Sequence, residues 1–230
     1  MKAPIAVALD APDLDTAQKW AREVSLYVSV LKIGLETYLR DGRFGVEQIK
    51  NESDCEIFLD LKLHDIPATV SGACRSVKKL QPKYLTVHAS GGSEMIKAAA
   101  DTLPETLIVA VTILTSLDAV SLAKIGYKSS PSQSSLDLAL LAIEAGARAI
   151  VCSPQEVAII RKNVADDVVL ITPGIRSKGE EANDQQSIAT PEQALKNGAN
   201  LLVIGRPITS APDVGQAAKK ISEEVYNFFK

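Results

Sequence analysis

Eight short runs of largely apolar residues recur along this 230-residue chain, and each gives way to polar or glycine-containing sequence with helical spacing beyond it. The runs are Ile5 to Leu9, Val28 to Ile33, Ile57 to Lys62, Tyr84 to His88, Leu107 to Thr112, Ala149 to Cys152, Val168 to Thr172 and Leu201 to Ile204. A strand that is apolar at consecutive rather than alternate positions buries both faces, the property of a parallel sheet covered by crossover helices. Repetition of strand, turn and helix at βαβ spacing predicts an α/β fold, a single (β/α)8 TIM barrel forming one catalytic domain over 1–230. A doubly wound sheet would normally carry a glycine fingerprint after its first strand, and Asp10-Ala11-Pro12-Asp13 is not one.

Local signals place the helices between these runs. Ala17, Trp20, Ala21 and Val24 share one face, which assigns Trp20 to a helix core, and a second helix extends toward Ile49. Ile66-Pro67 reads as the entry to a helix through Ala73, Val77 and Leu80, and another covers Met95 to Ala100. Ser116 is expected to cap a helix from Ala119 to Ala123, Ser153-Pro154 to open another, and a further helix to begin near Ser210.

In a barrel the polar residues that end successive strands meet at one mouth. Here these are Asp10, Lys32, Asp60 with Lys62, Thr115 with Ser116, and Arg206. The richest stretch is Asp60-Leu61-Lys62-Leu63-His64-Asp65-Ile66-Pro67-Ala68-Thr69. Side chains alternate along a strand, so Asp60 and Lys62 leave the same face, while Asp65 lies beyond in the loop and approaches from another direction. A single acid or lysine at a strand end commonly does no more than keep it hydrated. A D-x-K-x-x-D set against apolar sequence puts charge where desolvation is expensive, which points to chemistry. Arg206 follows Gly205, where the backbone can approach a ligand closely. An isolated arginine is as often a surface ion-pair partner, but its place at the mouth favours holding a phosphate dianion. The longest unpatterned polar stretch, Ser177 to Gln186, follows the seventh strand, where long loops tend to serve function.

A net charge of −3 without a clustered basic excess argues against a nucleic-acid surface, although one bound phosphate needs only an arginine. Cys55, Cys74 and Cys152 are odd in number and widely spaced, which suggests neither a disulfide framework nor a zinc cluster. There is no apolar signal region and no run approaching the roughly 20 residues of a membrane span. The expectation is a cytoplasmic protein with neither membrane nor nucleic acid as partner. Two histidines are too few for a histidine-rich metal site, so His64 and His88 are read as structural or as supports behind the site residues, and no metal is expected.

These motifs together resemble the orotidine 5′-phosphate decarboxylase family. The resemblance rests on Val7-Ala8-Leu9-Asp10, Leu31-Lys32-Ile33-Gly34, the Asp60 to Thr69 stretch, Leu114-Thr115-Ser116, Thr172-Pro173-Gly174-Ile175-Arg176, Asp184-Gln185 and Val203-Ile204-Gly205-Arg206-Pro207-Ile208-Thr209. It spans nearly the whole chain. It implies decarboxylation of orotidine 5′-monophosphate to uridine 5′-monophosphate and carbon dioxide, the last step of de novo UMP synthesis, with no metal or organic cofactor. It also implies a homodimer in which Asp65 and Thr69 reach the partner's site. Lys62 would protonate C6 within a Lys32, Asp60, Lys62 and Asp65 network. Asp10 would bind ribose hydroxyls, and Thr115 and Ser116 would face the pyrimidine. Arg176, Gln185, Gly205 and Arg206 would close over the phosphate. Pro173 and the remaining members of the central stretch, Leu61, Leu63, His64, Ile66, Pro67 and Ala68, would complete the substrate contacts.

Two alternatives differ in class. A magnesium-dependent sugar-phosphate decarboxylase or aldolase on the same barrel, such as a 3-keto-gulonate-phosphate decarboxylase or hexulose-phosphate synthase, shares a similar D-x-K-x-x-D. It carries a metal-binding glutamate where this chain has Lys32, whose ammonium would repel magnesium. A non-catalytic phosphate-ligand barrel would have no need of the charged tetrad.

Overall fold

Burial on both faces is what the apolar runs require, and the chain meets the requirement by closing its eight parallel strands into a barrel in sequence order, β1 pairing with β8. The structure, a computed structural model, describes residues 2–176 and 189–229. The elements are β1 (Ala3–Ala8), α1 (Leu14–Val24), β2 (Val28–Gly34), α2 (Leu35–Lys50), β3 (Glu56–Leu63), α3 (Pro67–Val77), β4 (Tyr84–His88) and α4 (Ser93–Thr102). They continue with β5 (Leu107–Val111), α5 (Ala119–Lys124), α6 (Pro131–Glu144), β6 (Ala149–Val151), α7 (Val157–Asn163) and β7 (Val169–Thr172). The last are α8 (Pro191–Lys196), β8 (Leu201–Ile204), α9 (Arg206–Thr209) and α10 (Val214–Phe228). All eight strands fall on the expected runs, with ends differing by a residue or two, the margin within which strand ends fray.

Alternation along each strand splits the core in two. Ile5, Val7, Leu31, Ile33, Ile57, Leu59, Leu85 and Ile108 point outward and join helix residues such as Ala17, Val46, Cys74 and Met95 in the large core. Ala6, Val30, Phe58, Val109, Ala149, Ile171 and Leu201 point inward and plug the barrel. One level up, the same parity turns Lys32, Asp60 and Thr86 inward, so the charged residues sit on an apolar floor. Phe58 and Tyr84 form part of that floor, their ring centroids 5.5 Å apart.

Several helix starts differ from the sequence expectation. Asp118, not Ser116, caps α5, its carboxylate accepting from the Ser121 amide at 2.7 Å. Ser116 lies too early, in the turn before the helix. Ser153 does not cap α7, which begins at Val157; the Ser153 amide and hydroxyl instead donate to the buried Glu156 carboxyl. Burial is the main influence that pushes that carboxyl above its usual range. Two helices flank the start expected near Ser210: the short α9 begins at Arg206 and is ended by Ser210, and α10 begins at Val214 behind an Asp213 cap. Helices α6 and α8 were not anticipated, although Ser130 with Pro131 and Thr190 with Pro191 form ordinary cap-and-proline starts. α2 is broken by Gly42, whose φ of 61° lies in the region glycine adopts without strain.

Candidate active site

The ends of β2 and β3 bring three charges into contact. Asp60 accepts from Lys62 Nζ at 2.8 Å through Oδ1, and Lys32 Nζ lies 3.2 Å from its Oδ2. Lys32 is buried, and its ammonium also stands 3.9 Å from Asp10. Burial is the largest influence on the Asp60 carboxyl and would raise its pKa, but Lys32 and Lys62 together outweigh it and hold the group below the ordinary aspartate range. Asp60 therefore stays ionised between two ammonium groups.

The path of β3 makes this cluster possible. In a regular strand a lysine two positions after Asp60 would project farther up the barrel. Here β3 is bulged against β4: Leu59 pairs with Leu85, but the next pair is Leu63 with Val87. Lys62 adopts φ +48°, a left-handed conformation that costs a long L side chain roughly 1–2 kcal/mol. Such strain persists where the surroundings over-determine it, commonly at functional sites. The Lys62 amide donates to the hydroxyl of buried Thr86 at 2.8 Å, and that hydroxyl donates to Asp60 Oδ1 at 3.1 Å. Thr86 was absent from the sequence reading; its one signal was a polar residue at an inward position of the apolar run Tyr84 to His88.

Two cavities share the cluster. One, of about 190 Å³, is lined by Lys32, Asp60 and Lys62 together with Phe58, Val111, Ile113, Val151 and Pro173, with Thr115 at its edge. The other, of about 490 Å³, runs from Lys32 and Asp60 past Asp10 and Pro173 to Arg176, Gly205 and Arg206. Lys32, Asp60, Pro173 and Val203 line both, so they form one cleft with a mainly apolar end, a charged middle and a guanidinium end. Trp20 packs partly against the core, as its helical spacing suggested, and also lines the guanidinium end. A side chain at Gly34 would push on the charged groups themselves, because a Cβ there would lie 2.7 Å from Asp10 Oδ1 and 3.2 Å from Lys32 Nζ.

The sequence-derived candidates divide accordingly. Asp10, Lys32, Asp60, Lys62, Thr115, Pro173, Arg176, Gly205 and Arg206 all line the cleft. Ser116 is exposed and does not line either cavity. Leu61 and Leu63 pack against the outer core instead of facing a ligand, as alternation from Asp60 demands. His64, Asp65 and Ile66 in the β3–α3 turn and Pro67, Ala68 and Thr69 in the first turn of α3 are exposed and line neither cavity. Asp65 forms no ion pair among the described residues and accepts from the neighbouring Ile66 amide at 2.6 Å, so one chain assembles three of the four expected network members. The His64 and His88 rings lie 5.3 Å apart beside the cluster; burial first, then His64 and Lys62, lowers the His88 pKa and keeps that ring neutral near pH 7. Gln185 and the stretch from Ser177 to Gln186 lie outside the described residues.

The barrel and its charged cleft define a (β/α)8-barrel enzyme whose candidate site lies at the C-terminal ends of the strands. The profile of the orotidine 5′-phosphate decarboxylase / HUMPS family matches residues 3–221, and the chain belongs to that family. It is 57% identical to the orotidine 5′-phosphate decarboxylase of Thermobifida fusca, over 98% of this chain and 97% of the relative. It is 49% identical to that of Frankia casuarinae, over 96% of this chain and 87% of the relative. The crystal structure of orotidine 5′-phosphate decarboxylase from Lactobacillus acidophilus superposes with a TM-score of 0.85 at 33% identity, covering 97% of this chain and 99% of that one.

Proposed function

We propose that this protein decarboxylates orotidine 5′-monophosphate to uridine 5′-monophosphate and carbon dioxide. The observation that carries the reading is the Lys32–Asp60–Lys62 cluster midway along a cleft with an apolar end and a guanidinium end. That order of environments suits a pyrimidine, a ribose and a phosphate. The base would occupy the apolar cavity beside Thr115, the ribose would lie near Asp10 and Lys32, and the phosphate would meet Arg206 and Arg176. Gln185 would join the phosphate grip.

The chemistry follows from the charges. Breaking the C6–carboxylate bond leaves its electron pair on a ring carbon with little delocalisation, so a preorganised ammonium nearby stabilises the charge as it grows. Lys62 would then transfer a proton from Nζ to C6. Asp60, kept ionised, faces the substrate carboxylate with like charge, and the repulsion fades as carbon dioxide leaves; this favours the transition state over the ground state.

Asp65 would complete the network from a second copy of the chain. The exposed β3–α3 turn and the exposed apolar side chains Leu39 and Phe44 on α2 and Ile66 at the start of α3 support a homodimer that carries Asp65 and Thr69 across its interface. Light scattering is expected to give twice the 24.5 kDa chain mass, and a monomer at working concentration would remove this part of the reading.

The deciding experiment follows the ultraviolet absorbance of orotidine 5′-monophosphate mixed with the purified protein, with and without a strong chelator. Loss of the substrate band, unchanged by chelator, is the expected result. No loss from folded protein would refute the reading. Chelator-sensitive turnover would favour the magnesium-dependent enzymes, whose metal would have to displace the Lys32 ammonium at 3.2 Å from Asp60.

A further inference from the structure

Between the pairs Leu59–Leu85 and Leu63–Val87, three residues of β3, Asp60, Leu61 and Lys62, face a single residue of β4, Thr86. A bulge of this kind re-aims a side chain at the expense of regular ladder bonds. Here the bulged amide is not left without a partner. The Lys62 N–H goes to the Thr86 side chain at 2.8 Å instead of to a β4 carbonyl. A hydroxyl has one proton and two lone pairs. With one lone pair taken by Lys62 N–H, the proton points to Asp60 Oδ1 at 3.1 Å, the same oxygen that accepts from Lys62 Nζ at 2.8 Å. Thr86 is fully buried, so water does not compete for these bonds.

We propose that Thr86 is a positioning residue for decarboxylation: its hydroxyl clamps the left-handed backbone of Lys62 and orients Asp60, so that the lysine and the carboxylate meet at the reacting carbon. Valine matches the shape of threonine but can neither accept from the Lys62 amide nor donate to Asp60. Serine can do both. The inference rests on the reading of Lys62 as proton donor, and it concerns geometry assembled before substrate arrives.

The test compares Thr86→Val and Thr86→Ser with the unaltered protein, measuring kcat and KM for orotidine 5′-monophosphate separately, thermal melting, and the crystal structure of the valine variant. Thr86→Val is expected to lower kcat by roughly tenfold or more, the scale of one hydrogen bond to a charged group, with KM nearly unchanged because the phosphate end is untouched. Thr86→Ser is expected to keep most of kcat. The valine variant's structure should show Lys62 leaving the left-handed region or its Nζ withdrawing from Asp60. A valine variant with kcat close to that of the parent overturns the proposal. So does a serine variant as impaired as the valine one, since that would assign the effect to the methyl group's packing. If Thr86→Val does not fold, Thr86→Ala against Thr86→Ser makes the same comparison. Should the unaltered protein fail to turn over this substrate, the decarboxylase reading falls, and the crystal structure alone decides the clamp: an unmoved Lys62 refutes it.

Discussion

Replacing Lys62 with alanine is expected to lower kcat/KM for orotidine 5′-monophosphate by about 10⁴-fold or more, while binding of uridine 5′-monophosphate changes little. A positioned general acid contributes roughly 10²–10⁴-fold and loss of a preorganised charge at the reacting atom roughly 10²–10³-fold; because one ammonium supplies both, the two factors overlap rather than multiply fully. Product binding is spared because the ribose and phosphate groups would lie in the cavity from Asp10 to Arg206, which Lys62 does not line. The substitution also removes one of the two cations that offset burial at Asp60, so the carboxyl of the variant should titrate higher than in the parent. Steady-state kinetics with calorimetry of product binding checks both halves. Turnover persisting near the parent's rate would show that Lys62 is not the proton donor.

The second large effect is expected at the other end of the cleft. Arg206→Ala should cost roughly 10³-fold in kcat/KM with the phosphorylated substrate, as the scale of losing two charge-assisted bonds to a dianion, each about 1.5–3 kcal/mol. The loss should appear in kcat as well as in KM, because binding energy from a remote phosphate is what holds the ring against the charged cluster. The same variant should act on the bare nucleoside, which has no phosphate to grip, almost as the parent does. Arg176→Ala and Gln185→Ala should repeat the pattern with smaller losses. Equal losses on nucleotide and nucleoside would show that these side chains maintain structure rather than hold phosphate.

The two ends of the cleft differ in how visible they were from residues alone. Lys32, Asp60 and Lys62 were legible because each is a charge at the end of an apolar run, and barrel closure brings strand ends together whatever the details of packing. Arg206 was legible for the same reason. Ser116 was read as a cap from its neighbours and as a pyrimidine contact from the family resemblance; the turn before α5 leaves it exposed and gives the cap to Asp118, one residue before the helix begins. Ser153 likewise carried a cap signature, yet its hydroxyl is taken by the Glu156 carboxyl before any helix starts. Local signals of this kind announce that the chain turns. They do not say which of several oxygens nearby wins the bond, because that depends on where the next element packs.

Thr86 marks the limit more sharply. The eight apolar runs, their order and their inward and outward faces follow from burial on both sides of a parallel sheet, a property written at consecutive positions of one strand. Barrel, mouth and charge set were therefore legible residue by residue. The bulge that keeps Lys62 at the level of Asp60 is not a property of β3 alone. It arises from the register of β3 against β4 and is held by a hydroxyl 24 residues away. A regular register and a bulged one require the same apolar pattern from each strand, so the choice between them rests on a long-range hydrogen bond that forms only when the two strands are side by side. Asp65 follows the same rule: its spacing in D-x-K-x-x-D marks it as part of the charged set, but the turn after β3 leaves it exposed, apart from Lys32, Asp60 and Lys62.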